Sequence, residues 1–366
     1  MGRINRRSFI KNSTLALGAM ALPGCSGDNE MNVYNETAEQ TRAALAKDAD
    51  LREMIRYATL AANGHNTQPW KFRINKSTAT ILPDFSRQTP VVDPDDHHLF
   101  ASLGCASENF AFTAEARGRP AEIIFNSQDH GEILIDLGNG NSNESKLFKA
   151  IPYRQCTRSE YNGSKVSVSD LKLLEKAAQV EGISLILITE KEPMERVLEY
   201  VVAGNSAQID DTAFVEELKE WIRFNPPQAL KTRDGLFSGC SGNPTMPTWV
   251  GNLIFRFVFT KDSSNDGYSK QIRSSAGIAV FVSDKNDKQH WVNAGRSYQR
   301  FALQATALGI RHSFINQPVE VAEIRPDFAK WLGVGDKRPD LVVRFGYAPA
   351  LPMSLRRPVE DVLVES

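Results

Sequence analysis

The sequence predicts an α+β protein made of two tandem, related halves, with a lid inserted in the second. Three observations carry this. Segments that read as strands interleave with segments of helical period along the 366-residue chain. Residues 100–118 recur as residues 291–309, an offset of 191, with Gly104, Phe110, Ala111, Ala114, Ala116 and Gly118 matched by Gly295, Phe301, Ala302, Ala305, Ala307 and Gly309. A weaker match pairs Asp50-Leu51-Arg52 with Asp170-Leu171-Lys172, an offset of 120. Repeats at a fixed offset mark duplicated units. The two offsets differ by 71 residues, so the second half gains a segment of about that size within residues 204–275. An insertion of that length more often forms a lid or binding loop than core.

The elements follow in order. Helices are expected at 48–62, 95–118, 168–181, 190–204, 212–224, 287–308 and 319–332. Strands are expected at 70–75, 78–82, 121–126, 132–137, 183–189, 276–283, 311–315 and 340–346. The first half then runs over 45–150 and the second over 151–366, with the lid around 205–274.

The N-terminus stands apart from the fold. Arg6-Arg7-Ser8-Phe9-Ile10-Lys11 reads as a twin-arginine export signal, followed by an apolar stretch at 15–22. Leu22-Pro23-Gly24-Cys25 resembles a lipobox, which would place a lipid anchor on Cys25. Residues 1–25 are therefore read as a leader and 26–44 as a polar tether. The expected destination is the periplasm, free or anchored to the membrane, reached through the twin-arginine machinery. That route carries folded proteins, which favours a cofactor bound before export.

Composition excludes several classes. A formal net charge of −1 gives no basic field for nucleic acid. No apolar run reaches the roughly 18 residues of a membrane span. Cys105, Cys156 and Cys240 contain no Cys-x-x-Cys and fix no disulfide framework. The histidines lack metal-ligand spacing, and Asp93-Pro94-Asp95-Asp96-His97-His98 reads as acidic residues opening a helix rather than a metal site. No dinucleotide fingerprint, P-loop, nucleophile elbow or zinc-protease motif is present.

Two segments remain that read as more than scaffold. In Ala62-Asn63-Gly64-His65-Asn66-Thr67-Gln68-Pro69-Trp70, exposed backbone N–H groups and side-chain amides suit a polar heterocycle edge or a phosphate. In Arg154-Gln155-Cys156-Thr157-Arg158, two guanidinium forks can converge on one anion. Spacing alone leaves an ordinary helix-to-strand loop and two solvated arginines as alternatives.

Asn66-x-Gln68-Pro69-Trp70 resembles the N-x-Q-P-W signature of the nitroreductase family, and Arg154-x-Cys156-x-Arg158 its R-x-S-x-R block. Ala294-Gly295 through Gly309-Ile310, Arg344-Phe345-Gly346-Tyr347 and Ser354-Leu355-Arg356-Arg357-Pro358 resemble its later helix, closing strand and basic tail. The blocks occur in the order of the fused, Acg-type FMN-binding branch, in which one chain mimics a dimer. The resemblance covers roughly residues 45–365. It implies a nitroreductase-like fold and one FMN per chain, because each half keeps only one of the two blocks. It assigns Arg154, Arg158, Arg356 and Arg357 to the phosphate. Cys156 stands where the family has Ser, and Ala62, Asn63, Gly64, Asn66 and Gln68 approach the flavin. Asn316 and Gln317 lie near its reactive edge. Trp221, Arg223, Asp234 and Gly235 belong to the lid, either covering the flavin or only capping the fold. The implied activity is flavin-mediated reduction of nitroaromatic or quinone-like compounds, with a non-catalytic flavin-sequestering protein as the alternative. No separate catalytic residue is singled out.

Overall fold

The computed structural model describes residues 26–364. The leader, with its twin-arginine motif and Cys25, lies outside the described residues. The chain runs α1 (Ser26–Thr41), α2 (Leu51–Thr59), β1 (Trp70–Ile74), β2 (Thr78–Pro83), α3 (His97–Glu115), β3 (Ala121–Asn126), β4 (Glu132–Leu137), α4 (Lys146–Ala150), α5 (Val168–Ala177) and β5 (Ile183–Ile188). It continues α6 (Lys191–Asp210), α7 (Thr212–Glu220), β6 (Ile222–Arg223), α8 (Pro226–Thr232), β7 (Leu236–Phe237), α9 (Thr248–Val258) and α10 (Lys261–Arg273). It closes with β8 (Gly277–Ser283), α11 (Lys288–Ala307), β9 (Arg311–Phe314), α12 (Gln317–Glu320), α13 (Arg325–Leu332), β10 (Arg338–Gly346) and α14 (Val359–Val362).

The architecture is mixed α+β, with two four-stranded antiparallel sheets of orders β1-β2-β4-β3 and β5-β8-β10-β9. Strand for strand, the second order repeats the first. All eight strands fall within two residues of the positions expected from the sequence. The hairpin partner β2 follows β1 directly, whereas residues 189–276 separate β5 from β8. That segment contains the 205–274 stretch expected as an insertion, and also takes in α6, whose Met194, Val197, Leu198 and Val201 pack on the second sheet.

The two halves share one core at the crossing of α3 and α11. A Cβ on Gly104 would sit 2.0 Å from the Val292 carbonyl oxygen, and one on Gly295 would sit 1.9 Å from that of Ala101. Only glycine permits this approach. The 191-residue offset relates Ala101 to Val292 and Gly104 to Gly295, so the contact is reciprocal, as across a two-fold axis. Phe100, Phe110 and Trp70 from one side join Trp291, Phe301 and Phe345 from the other in the same buried cluster.

Two expectations need correcting. Residues 26–44 are not a tether. Ser26–Thr41 is a helix, and Tyr34 and Ala38 are buried against Phe237, Cys240 and Leu355. Met31, Tyr34 and Ala38 lie three and four residues apart, which gives one apolar stripe on an otherwise polar helix. The 319–332 helix is two, α12 and α13, separated by residues 321–324, with Pro326 in the first turn of α13. The cysteines Cys105, Cys156 and Cys240 are unbridged.

Candidate functional site

The loop after α2 is built under strain. His65, Asn66 and Gln68 have φ of 45°, 55° and 54°, a region that side chains other than Gly avoid. Hydrogen bonds hold it there. The Asn63 Oδ1 accepts from the Gln68 backbone N–H at 2.8 Å, and Arg87 donates to the Thr67 carbonyl. Three such residues within four positions mark a loop whose surroundings dictate its shape.

This loop walls two adjoining chambers. The wide one spans about 1130 Å³ of space, solvent at its mouth included, and has Asn63, Gly64, Asn316, Gln317 and Tyr268 in its lining. The narrow one spans about 540 Å³ on the same measure and includes Arg154, Cys156, Arg356, Asn66 and Gly235. Ala62, Asn63, Arg158 and Leu236 face both, so the chambers are one site with a broad and a tapered end.

The tapered end is cationic. Arg154 and Arg356 are each only 4% exposed. They are aimed by the carbonyls that end α2: Arg356 donates to Thr59 at 2.6 Å and Ala61 at 3.2 Å, and Arg154 donates to Leu60 at 2.7 Å. A helix C-terminus draws cations through these unpaired carbonyls. Arg356 also donates to the Asn66 Oδ1 at 2.8 Å. Arg42, just after α1, joins them by donating to Ser354, whose carbonyl also accepts from Arg356. Among the described residues, none of Arg42, Arg154, Arg158 and Arg356 forms an ion pair with a carboxylate. The Nε atoms of Arg154 and Arg42 are buried without a partner. Burial, then the charge of Arg154, lowers Arg42 to about 10; burial, then Arg42 and Arg154, pushes Arg356 well below the usual arginine range. A buried, uncompensated group of guanidinium ions is costly unless an anion completes it.

The broad end is lined by amides and aromatic rings. Gln317 donates to the Tyr268 hydroxyl at 2.5 Å, and its Oε1 is buried without a partner. The Asn316 Oδ1 is committed to the Val342 N–H at 2.8 Å, so Asn316 fixes the turn after β9. Behind it, Asp93 accepts from the backbone N–H of His98 and Leu99 at 2.9 Å each, so it caps α3 as an acid opening a helix. Asp93, His97 and His98 come within 4.8 Å of one another, with each Asp93 oxygen accepting one of those N–H groups.

The structure thus gathers Ala62, Asn63, Gly64, Asn66, Arg154, Cys156, Arg158, Asn316, Gln317 and Arg356 around one cavity. Two predicted members lie elsewhere. Arg357 turns away to the Gln68 and Asp361 carbonyls and lies 3.7 Å from Asp84, because neighbours on an extended tail point to opposite sides. Gln68 is fully buried and bonds to the Arg233 carbonyl and the Arg357 N–H, each at 2.8 Å, which ties the inserted segment to the tail. Of the lid residues, Gly235 lines the narrow chamber. Its N–H donates to the Asn66 carbonyl at 3.1 Å, and its carbonyl accepts from the Asn66 Nδ2 at 3.1 Å. Trp221, Arg223 and Asp234 brace the segment internally: Arg223 pairs with Asp234 at 2.7 Å, and Arg87 joins Asp234 and stacks on Trp221. Cys156 makes only long contacts, 3.8 Å to Arg154 and to the Tyr298 hydroxyl. Sequence reasoning missed Arg42 because its helix looked like tether, and missed His65, His98 and Glu320 because no motif links them.

Fold and site together define an α+β protein with a cleft between two related sheets, amide-rich at one end and anion-seeking at the other. No protein-family model matches the chain. Proteins named as NAD(P)H nitroreductases in two strains of Mycobacterium tuberculosis are 24% identical to it over 352 residues, covering 92% of this chain and 94% of theirs. An FMN-bound nitroreductase from Desulfovibrio desulfuricans superposes with a TM-score of 0.37 at 16% identity, covering 61% of this chain and 98% of its own. An FMN-dependent nitroreductase from Mycobacterium smegmatis in complex with NADPH gives 0.36 at 13% identity, covering 59% and 91%. The similarity to the two mycobacterial proteins runs along nearly the whole length of both chains.

Proposed function

We propose that each chain binds one FMN between its two halves and acts as a flavin-dependent oxidoreductase on flat acceptors of the nitroaromatic or quinone-like class. The observation that carries this is the uncompensated arginine cluster at the tapered end of a cavity whose broad end offers the unpaired amide oxygen of Gln317. A phosphate monoester supplies the missing negative charge at one end, and a flat heterocycle fills the other. Bound FMN would supply hydride transfer. Arg154, Arg158, Arg356 and Arg42 would hold its phosphate, and Ala62, Asn63, Gly64 and Gln317 would meet its ring. The repeated strand order and the reciprocal Gly104–Gly295 crossing support a duplicated chain that stands in for a dimer, with one of two possible sites retained. The leader motif supports export by the twin-arginine route and anchoring through Cys25.

The mutual hydrogen bonds between Asn66 and Gly235 close the inserted segment over the narrow chamber. They favour a second reading, in which the protein holds flavin without turning it over. Visible absorption of the purified chain, before and after anaerobic NADPH, separates the two. A flavin band that bleaches supports turnover with a nicotinamide donor. A band that persists with NADPH but bleaches with dithionite supports flavin holding or another donor. No flavin band after incubation with FMN would sink both readings.

A further inference from the structure

A chain of four groups, two partly exposed and two buried, runs inward from the wall of the broad chamber. His98 and Glu320 line that wall, with His98 Nε2 3.4 Å from Glu320 Oε1. His98 Nδ1 lies 3.1 Å from His97 Nδ1, and His97 Nε2 lies 2.9 Å from Asp340 Oδ1. Asp340 is fully buried and His97 is 2% exposed. The Trp291 ring, edge-on at 5.5 Å, packs against the His97 imidazole.

The contacts restrict where protons can sit. Two facing Nδ1 atoms can share only one proton, so one ring donates and the other accepts. If His98 is doubly protonated, it donates to both Glu320 and His97, and His97 Nε2–H donates to an ionised Asp340. If the proton moves inward, Asp340 is protonated, His97 carries its proton on Nδ1, and His98 keeps Nε2–H toward Glu320. The two arrangements contain the same number of protons and differ by a concerted shift along the chain. The charged surroundings suit both. Asp93 and Glu320 face His98, Arg338 lies 3.6 Å from Asp340 and near both rings, Arg325 flanks His97, and His65 lies beside Glu320. Burial opposes the charge on His98, but Glu320 and Asp93 together raise it above the ordinary histidine value. Burial brings Asp340 up to about 7 and holds His97 well below the histidine range. His97 is therefore the conductor and the two ends are the stores.

We infer that His98 and Glu320 present an exchangeable proton to the acceptor in the broad chamber, with His97 and Asp340 as its inner reservoir. This rests on the flavin reading above. Reduction of a quinone-class acceptor by two electrons takes up a hydride and a proton. The hydride comes from reduced flavin. The proton comes from the pair: the His98 Nε2–H bond breaks as the acceptor's O–H bond forms, directly or through Glu320, and the electron pair stays on the ring nitrogen. Solvent entering after product leaves restores the proton. The pair would be a catalytic acid; His97 and Asp340 would be positioning residues.

The test uses the full chain labelled with 15N-histidine. Two-bond 1H–15N spectra report each ring's tautomer and titration, with or without flavin. From pH 5 to 9 His97 should stay neutral, and His98 should titrate above the ordinary histidine midpoint. Glu320→Gln and Asp340→Asn should each lower that midpoint by about 1 pH unit, since the first removes a negative charge facing His98 and the second removes the far end of its hydrogen-bonded chain. In the flavin-loaded protein reduced with dithionite, reoxidation by a soluble benzoquinone should slow about 10-fold or more in Glu320→Gln and lose its pH dependence, with FMN affinity unchanged. A His98 that stays neutral throughout overturns the inference, as does a midpoint that neither substitution moves. Normal quinone reoxidation in Glu320→Gln overturns it too. If Asp340→Asn does not fold, Glu320→Gln decides. A chain that binds no flavin brings down the flavin reading, and the histidine titration still judges the shared proton by itself.

Discussion

Two arginine clusters tie the halves of this molecule together, and they are built oppositely. On the α3–α11 crossing, Arg296 and Arg300 close on Glu108 at 2.9 and 2.6 Å, with Glu108 itself 2% exposed. Beside it, the Gln299 Nε2 donates to the Asn109 Oδ1 at 2.7 Å. At the tapered chamber, Arg42, Arg154 and Arg356 meet only carbonyls, an amide oxygen and thiols. The first cluster holds a carboxylate of its own, which both guanidinium groups meet. The second has no carboxylate, although Arg154 and Arg356 are each 4% exposed while Arg296 and Arg300 keep 23% and 31% of their side chains in solvent. A complete ion pair is scaffold; an incomplete one implies an anionic ligand that completes it.

Substitutions should separate the two clusters by opposite signatures. The largest effect is expected from Arg154→Met. FMN affinity, read by quenching of flavin fluorescence, should fall at least 100-fold, about 3 kcal/mol, since charge-assisted contacts to a buried phosphate are lost. The flavin-free protein should keep its thermal midpoint or gain in it, because a desolvated like charge has gone. Loss of stability without loss of affinity would show the clusters to be alike. Glu108→Gln should do the reverse, destabilising the chain by about 3 kcal/mol in urea unfolding while FMN affinity stays unchanged. Gly295→Ala comes next. A methyl 1.9 Å from the Ala101 carbonyl forces α3 and α11 apart, at a cost of about 2 kcal/mol. An unchanged unfolding midpoint there would remove the argument for a close two-fold crossing. The smallest effect is a ligand shift. Inorganic phosphate should stabilise the flavin-free chain by about 1.4 kcal/mol for each tenfold excess over its dissociation constant, and should fail to do so in Arg154→Met.

Most of the scaffold was legible because its signals are local. Strand alternation placed β1–β5 and β8–β10, and the matched glycines at 104 and 295 fall where α3 and α11 cross, since a helix crossing that close accepts no side chain on either partner. The Asn63–Asn66 loop and the Arg154 and Arg158 spacing were legible as motifs. What was not legible depends on direction. Arg356 and Arg357 are adjacent in sequence, yet only Arg356 reaches the cavity, because the tail passes the loop with one side chain inward and the next outward. Gln68 belongs to the same motif as Asn66, yet it turns into the core to fasten the tail.

The sequence by itself therefore determined the class of fold, the two glycines of the helix crossing and the two segments that line one cavity, all through periodicity and short spacing. Only the tertiary structure decided which charges go unanswered. Arg42 lies 112 residues from Arg154, and His98 lies 222 from Glu320. Whether such groups meet, and whether an opposite charge meets them first, depends on packing between distant elements, for which a linear sequence carries no local signal.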